Sequence, residues 1–222
     1  LLLGWAQASA TSTAKARGTM YAGELNGNLG IYGNLNVGVA SAMGDNSSAS
    51  AAGDFHAGQI EDRLFNTGTL NVGNATALES TTANAVGTFR ATMIGDELAI
   101  GATATIGGSL ANGASTAQAQ GTLHVSQVDA TVRFGSELLI GEATGHGLSS
   151  SAAAGAATLD QITGSFTVDG DVRVGRASTT GAAEAMASGS LDISNVQFNA
   201  HVGRLDIGIA SAVHSSTASS AG

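Results

Sequence analysis

The chain has 222 residues, a formal net charge of −9, 32 Gly, no Pro and no Cys, and only 11% of it is charged. Eight scattered Lys and Arg do not make a phosphate-binding surface, which needs clustered cations, so no nucleic-acid partner is expected. The absence of Cys excludes disulfides and thiolate metal sites, and no apolar run approaches the ~18 residues of a membrane span.

From its first residue the sequence repeats. Leu1-x-Leu3-Gly4-x-Ala6 returns as Leu35-x-Val37-Gly38-x-Ala40 and Leu70-x-Val72-Gly73-x-Ala75, then more weakly as Ala104-x-Ile106-Gly107-x-Ser109. It recurs as Leu138-x-Ile140-Gly141-x-Ala143, Val172-x-Val174-Gly175-x-Ala177 and Leu205-x-Ile207-Gly208-x-Ala210. Successive anchor glycines lie 34, 35, 34, 34, 34 and 33 residues apart. A second glycine follows each anchor: Gly18, Gly53, Gly87, Gly121, Gly155, Gly189 and Gly222, at an offset of 14, or 15 for Gly53. The segment Leu1-Leu2-Leu3-Gly4-Trp5-Ala6 with Ala8-Ser9-Ala10 also resembles the end of a secretory signal. It has no basic region before it and matches the repeat, which is the preferred reading.

One repeat is clearest from Gly121. Leu123 and Val125 alternate around His124, Val128 follows, and Val132 and Phe134 flank Arg133. A turn at Gly135 leads to Leu138 and Ile140 around Leu139. After Gly141 the large aliphatics give way to small residues, and the better copies read A-x-A, polar loop, A-x-A, as in Ala6, Ala8, Ala14, Ala16 and Ala75, Ala77, Ala83, Ala85. Alternation with period 2, broken at glycines, predicts strands and turns. Tetratricopeptide repeats share the period, but they need long runs of helix formers at period 3.6.

The predicted fold is all-β: a β-solenoid (β-helix) of about six and a half 34-residue coils, one continuous domain over residues 1–222. Equivalent residues then stack ~4.8 Å apart, giving a column roughly 30 Å tall. Three inward columns are expected: Met20, Phe55, Phe89, Leu123, Ala157, Leu191; Leu29, Leu64, Leu98, Val132, Phe166, Ala200; and Leu35, Leu70, Ala104, Leu138, Val172, Leu205. They fill a wide aliphatic part, and the alanines line a narrow one. Two unlike half-length turns per repeat would stack large columns on small ones, so a single coil is preferred. Outward, Glu142 faces Arg176, Arg63 faces Glu97, Asp171 faces Arg204 and Arg173 faces Asp206 on neighbouring rungs, as cross-strand pairing favours.

No catalytic, cofactor-binding or metal-binding residues are assigned, and no cofactor and no enzymatic activity are expected. His56 and His124 share an outward column but Arg90 lies between them, while His146, His201 and His214 fall elsewhere, whereas a metal needs converging ligands. Asp62 and Asp96 fall on adjacent rungs near a turn and stand nearly alone. β-Helical polysaccharide lyases and hydrolases resemble this architecture, but they place several charged residues in one groove. No phosphate loop and no G-G-x-G-x-D calcium repeat is present. Ice binding would need a regular threonine ladder, and Thr11, Thr13, Thr81, Thr82 and Thr116 are not expected to form one.

The L-x-V-G motif with Gly, Ala, Ser and Thr bias and no Cys resembles the β-solenoid repeats of bacterial surface proteins, such as autotransporter passenger and filamentous-haemagglutinin-like regions. Bactofilin filaments are also similar, although their turns are about half as long and lack the Ala-rich half. The resemblance implies an extracellular or cell-surface structural protein whose main partner is itself, stacked end to end into a fibre. The alternative is an adhesin or stalk that binds surface glycans. Outward aromatics for sugar contacts are limited to Trp5, Tyr21, Tyr32 and Phe65. Apolar columns uncovered at Leu1, Leu3, Leu205 and Ile207, with no Pro on either edge, favour the fibre or a place within a longer solenoid. A seamless junction needs a further half-coil equivalent to residues 122–137.

Overall fold

A computed structural model describes residues 1–9, 12–44, 46–79, 82–113, 116–147, 150–181, 184–213 and 217–221. Ala10, Thr11, Thr81, His214 and Gly222, singled out above, lie outside the described residues. The strands are β1 (Leu2–Ser9), β2 (Thr13–Ala22), β3 (Leu29–Ile31), β4 (Leu35–Met43), β5 (Ser48–Ile60), β6 (Leu64–Asn66), β7 (Leu70–Leu78), β8 (Thr82–Ile94), β9 (Leu98–Ile100), β10 (Ala104–Asn112), β11 (Thr116–Val128), β12 (Val132–Phe134), β13 (Leu138–His146), β14 (Ser150–Ile162), β15 (Phe166–Thr179), β16 (Ala185–Val196), β17 (Ala200–Ala212) and β18 (Ala218–Ala221). No helix occurs among the described residues.

Each of the first four coils runs one long strand, turns, makes a three-residue strand, turns again, and returns along a nine-residue strand, while in the last two the short and returning parts are continuous as β15 and β17. Every pairing is parallel and joins equivalent residues of successive coils. Leu138 pairs with Val172 and Phe89 with Leu123, which establishes the single-coil register. The long strands form a seven-stranded sheet, and the short and returning strands form an eleven-stranded one. The chain is therefore a β-solenoid of about six coils. The turns stack too: the Gly95 amide donates to the Ile60 carbonyl at 2.8 Å, and that of Gly135 to Ile100 at 2.7 Å. Backbone groups that a lone coil would leave unpaired are thus satisfied between coils.

The drift in the period falls at two places, one between strands and one within them. The returning strands β1 and β4 pair at 34, Leu3 with Val37, but the next long strands pair at 35, Thr13 with Ser48. The extra residue falls in the sequence between Met43 and Ser48, where the Ser47 hydroxyl donates to the Gly44 carbonyl at 2.9 Å. The 33-residue interval arises where the register between β15 and β17 shifts between Val168 and Asp171.

All three predicted inward columns stack as expected. Within the wide core, large side chains are distributed so that each middle coil holds one phenylalanine: Phe55, Phe89, Phe134 and Phe166, all 2% exposed or less. Where Phe166 fills the short-strand column, Ala157 stands in the long-strand column, and where Phe89 fills the latter, Ala104 relieves the return strand. Such compensation holds the core volume per rung nearly constant, which close packing requires. Phe55 and Phe89 stack with centroids 4.7 Å apart and planes 5° from parallel.

A second core is built mainly of alanines, including Ala42, Ala49, Ala77, Ala83, Ala111 and Ala117, each 0% exposed, with Ser109, Ser151 and Thr179 buried in the same columns. The two cores are separated by a waist built from the two glycine columns. A Cβ on Gly87 would lie 2.2 Å from the Val72 carbonyl oxygen and 2.3 Å from the Gly107 nitrogen. Opposite, Gly73 has φ +65° and a Cβ there would sit 1.9 Å from the Val86 carbonyl oxygen. The two walls meet backbone to backbone, so the glycine repeat divides the cross-section into a wide and a narrow lobe.

Candidate functional site

The residues singled out for chemistry are placed as the repeat dictates. Asp62 and Asp96 do lie on adjacent rungs, the Asp96 amide donating to the Asp62 carbonyl at 2.9 Å. The Asp96 carboxylate, however, accepts from Arg63 Nε at 2.8 Å. That hydrogen bond, with the charges of Asp96 and Glu97, raises the Arg63 guanidinium further above its ordinary pKa. His56 and His124 flank Arg90 in one column. The His56 ring stacks on Tyr21 at 5.1 Å, and His124 Nε2 lies 2.9 Å from the Ser126 hydroxyl. His146 contacts the Thr180 hydroxyl at 3.4 Å and His201 is exposed beside Thr167. Among the described residues no group of three or more His, Asp or Glu converges as metal ligands do.

Two of the four expected charge pairs form across rungs: Arg176 donates to Glu142 at 2.9 Å and Arg63 approaches Glu97 at 3.9 Å. The other two are in register, Asp171 with Arg204 and Arg173 with Asp206, but their hydrogen bonds run along the strand instead. Arg173 donates to Asp171 and Arg204 to Asp206, both at 2.9 Å. Side chains two apart on one strand share a face, so i, i+2 partners compete with cross-rung ones. Arg173 also lies 3.2 Å from Glu137. Burial lowers its pKa, but the Asp171 hydrogen bond and the charges of Glu142, Glu137 and Asp171 together raise it.

The threonine pattern is corrected by the register. Thr13, Thr82 and Thr116 share one outward column with Ser48 and Ser150. The next outward column breaks the regularity, running Lys15, Ser50, Asn84, Gln118 and Ala152.

The exposed aromatics are Trp5, Tyr21 and Tyr32 near one end, as expected, and also Phe198 near the other, 74% exposed in a turn, while Phe65 is half-buried. Two kinds of hollow mark the surface. One, about 390 Å³, runs along the outer face of the long strands over Val86, Gln120, Ala154 and Met186, with no charged or aromatic lining. On the short-strand face two hollows of about 300 and 250 Å³ share Glu97, Ala99 and Gly101 and form one trough.

Fold and surface together define the class: a β-solenoid repeat protein. Comparison with family models, curated proteins and solved structures returned no match to any of them.

Proposed function

We propose that the chain is a structural repeat protein of the cell surface or extracellular space that stacks end to end into a fibre and catalyses no reaction. The supporting observation is the contrast between middle and outer rungs. In one inward column Leu138 and Val172 are 0% exposed while Leu205 is 46% exposed. Leu3, Met20 and Leu29 at one end, and Leu191, Ile193 and Val202 at the other, are likewise only partly covered. Strands β2 and β3 at one end, and β17 and β18 at the other, each have a strand partner on one side only. A sheet edge of this kind templates further strands, and covering an aliphatic side chain contributes roughly 1.5–3 kcal/mol. Another rung of the same cross-section, from a second chain or from further repeats of a longer solenoid, satisfies both demands at once.

The junction needs the half-coil equivalent to residues 122–137 for a seamless column, or else a looser contact between unlike rungs. Sedimentation velocity of the 222-residue chain tests the reading. Concentration-dependent growth into long species is the expected result. A monomer that persists at high concentration overturns it.

A further inference from the structure

We infer that the trough on the short-strand face is a binding site for a neutral oligosaccharide. Outward positions of the short strands form the column Gly30, Phe65, Ala99, Arg133, Thr167 and His201. Two small residues in it shape the site. A Cβ on Gly30 would lie 2.4 Å from Phe65 Cζ, so the Phe65 ring spreads over that glycine. Tyr32, 82% exposed, meets the ring edge-on at 5.5 Å and 80°. On the other side Ala99 leaves an open floor between Phe65 and Arg133, two rungs or about 10 Å apart.

The walls are polar and ion-paired. Arg63 holds Asp96 at 2.8 Å and approaches Glu97, and Arg133 holds Asp169 at 3.0 Å. Both arginine side chains are more than half exposed, 54% and 57%, so their remaining N–H groups face solvent. The site therefore offers one apolar ring face, planar donor forks and carboxylate acceptors. A sugar ring has that combination in complement: an apolar C–H face and a rim of hydroxyls that both donate and accept. Two guanidiniums face three carboxylates, so an anion gains nothing, and the acids are already engaged by arginine, which leaves little for a cation. A concave site with a few convergent polar groups is also the usual form of a small-ligand site. The inference stands apart from fibre formation, because the trough lies on the side of the column and its lining residues, from Arg63 to Asp169, all lie inward of the edge strand β3.

The test is titration of the full chain with cellotetraose, maltotetraose, chitotetraose and tetragalacturonate, followed by calorimetry and saturation-transfer NMR. At least one neutral tetrasaccharide is expected to bind, and tetragalacturonate is not. Phe65→Ala should weaken binding about tenfold, the equivalent of ~1.4 kcal/mol, and Ala99→Phe should abolish it by filling the floor. Tyr21→Ala, on another face, should leave it unchanged, and unaltered melting of all three variants excludes misfolding. The inference is overturned if no neutral oligosaccharide binds at millimolar concentration, if binding survives both trough substitutions, or if tetragalacturonate binds as tightly.

Discussion

Replacing Gly87 by alanine probes the waist that divides the solenoid. The added Cβ would lie 2.2 Å from one backbone atom and 2.3 Å from another, both in the facing wall, with a third at 3.0 Å. None is the end of a flexible side chain, so relief requires the two walls to separate along strands tied to their neighbours on both sides. Gly87 is not in the left-handed region, so the effect is steric and owes nothing to backbone strain. Overpacking of this kind costs ~1–3 kcal/mol where side chains can yield, and more where they cannot. A loss of at least ~3 kcal/mol is expected, which for a chain of this size lowers the melting temperature by roughly 6–12 °C. Gly23→Ala is the control: the nearest atom to its Cβ is a Tyr21 ring carbon at 3.5 Å, an ordinary contact. That change should stay within ~0.5 kcal/mol. Thermal melts of both variants, with hydrogen exchange over residues 70–110 to detect local opening, measure the difference. If the two variants melt alike, the backbone-to-backbone waist is refuted.

Three further outcomes follow from the packing and the surface. Phe89→Ala removes half of the stacked pair in the wide core and should cost about 3–5 kcal/mol in denaturant unfolding, whereas Phe89→Leu should cost far less. Glu142→Gln leaves Arg173 and Arg176 without their shared carboxylate, and a loss of about 1 kcal/mol that shrinks with added salt is expected in urea titrations at two ionic strengths. Alanine at His56, His124, Asp62 or Asp96 should leave the melting temperature and sedimentation nearly unchanged, and a variant that loses a bound metal or a turnover would reveal chemistry at these surface positions.

The fold was legible because repetition makes each inward choice visible several times over. Phe89, Leu123 and Ala157 differ in size, yet their common spacing identifies one column. The anchor and second glycines were equally visible, but nothing in their spacing says that they face each other. That depends on the two walls converging between an aliphatic and an alanine lobe. The charge pairs were half legible: spacing places Arg173 beside Asp206, but Asp171 two residues away wins the hydrogen bond. The trough was not legible, since Ala99 becomes a floor only when Phe65 bends over Gly30 and Arg133 is drawn to Asp169 across the turns. Phe198 was missed because it sits in a turn and belongs to no inward or outward column.

Mass per unit length, measured by scanning transmission electron microscopy on assemblies of this chain, tests end-to-end stacking most directly. A fibre one solenoid wide contains one 34-residue coil for every rung of about 4.8 Å along its axis. Filaments with that mass per length are the expected result. Particles of single-chain mass at every concentration, or filaments carrying several coils per rung, would contradict it.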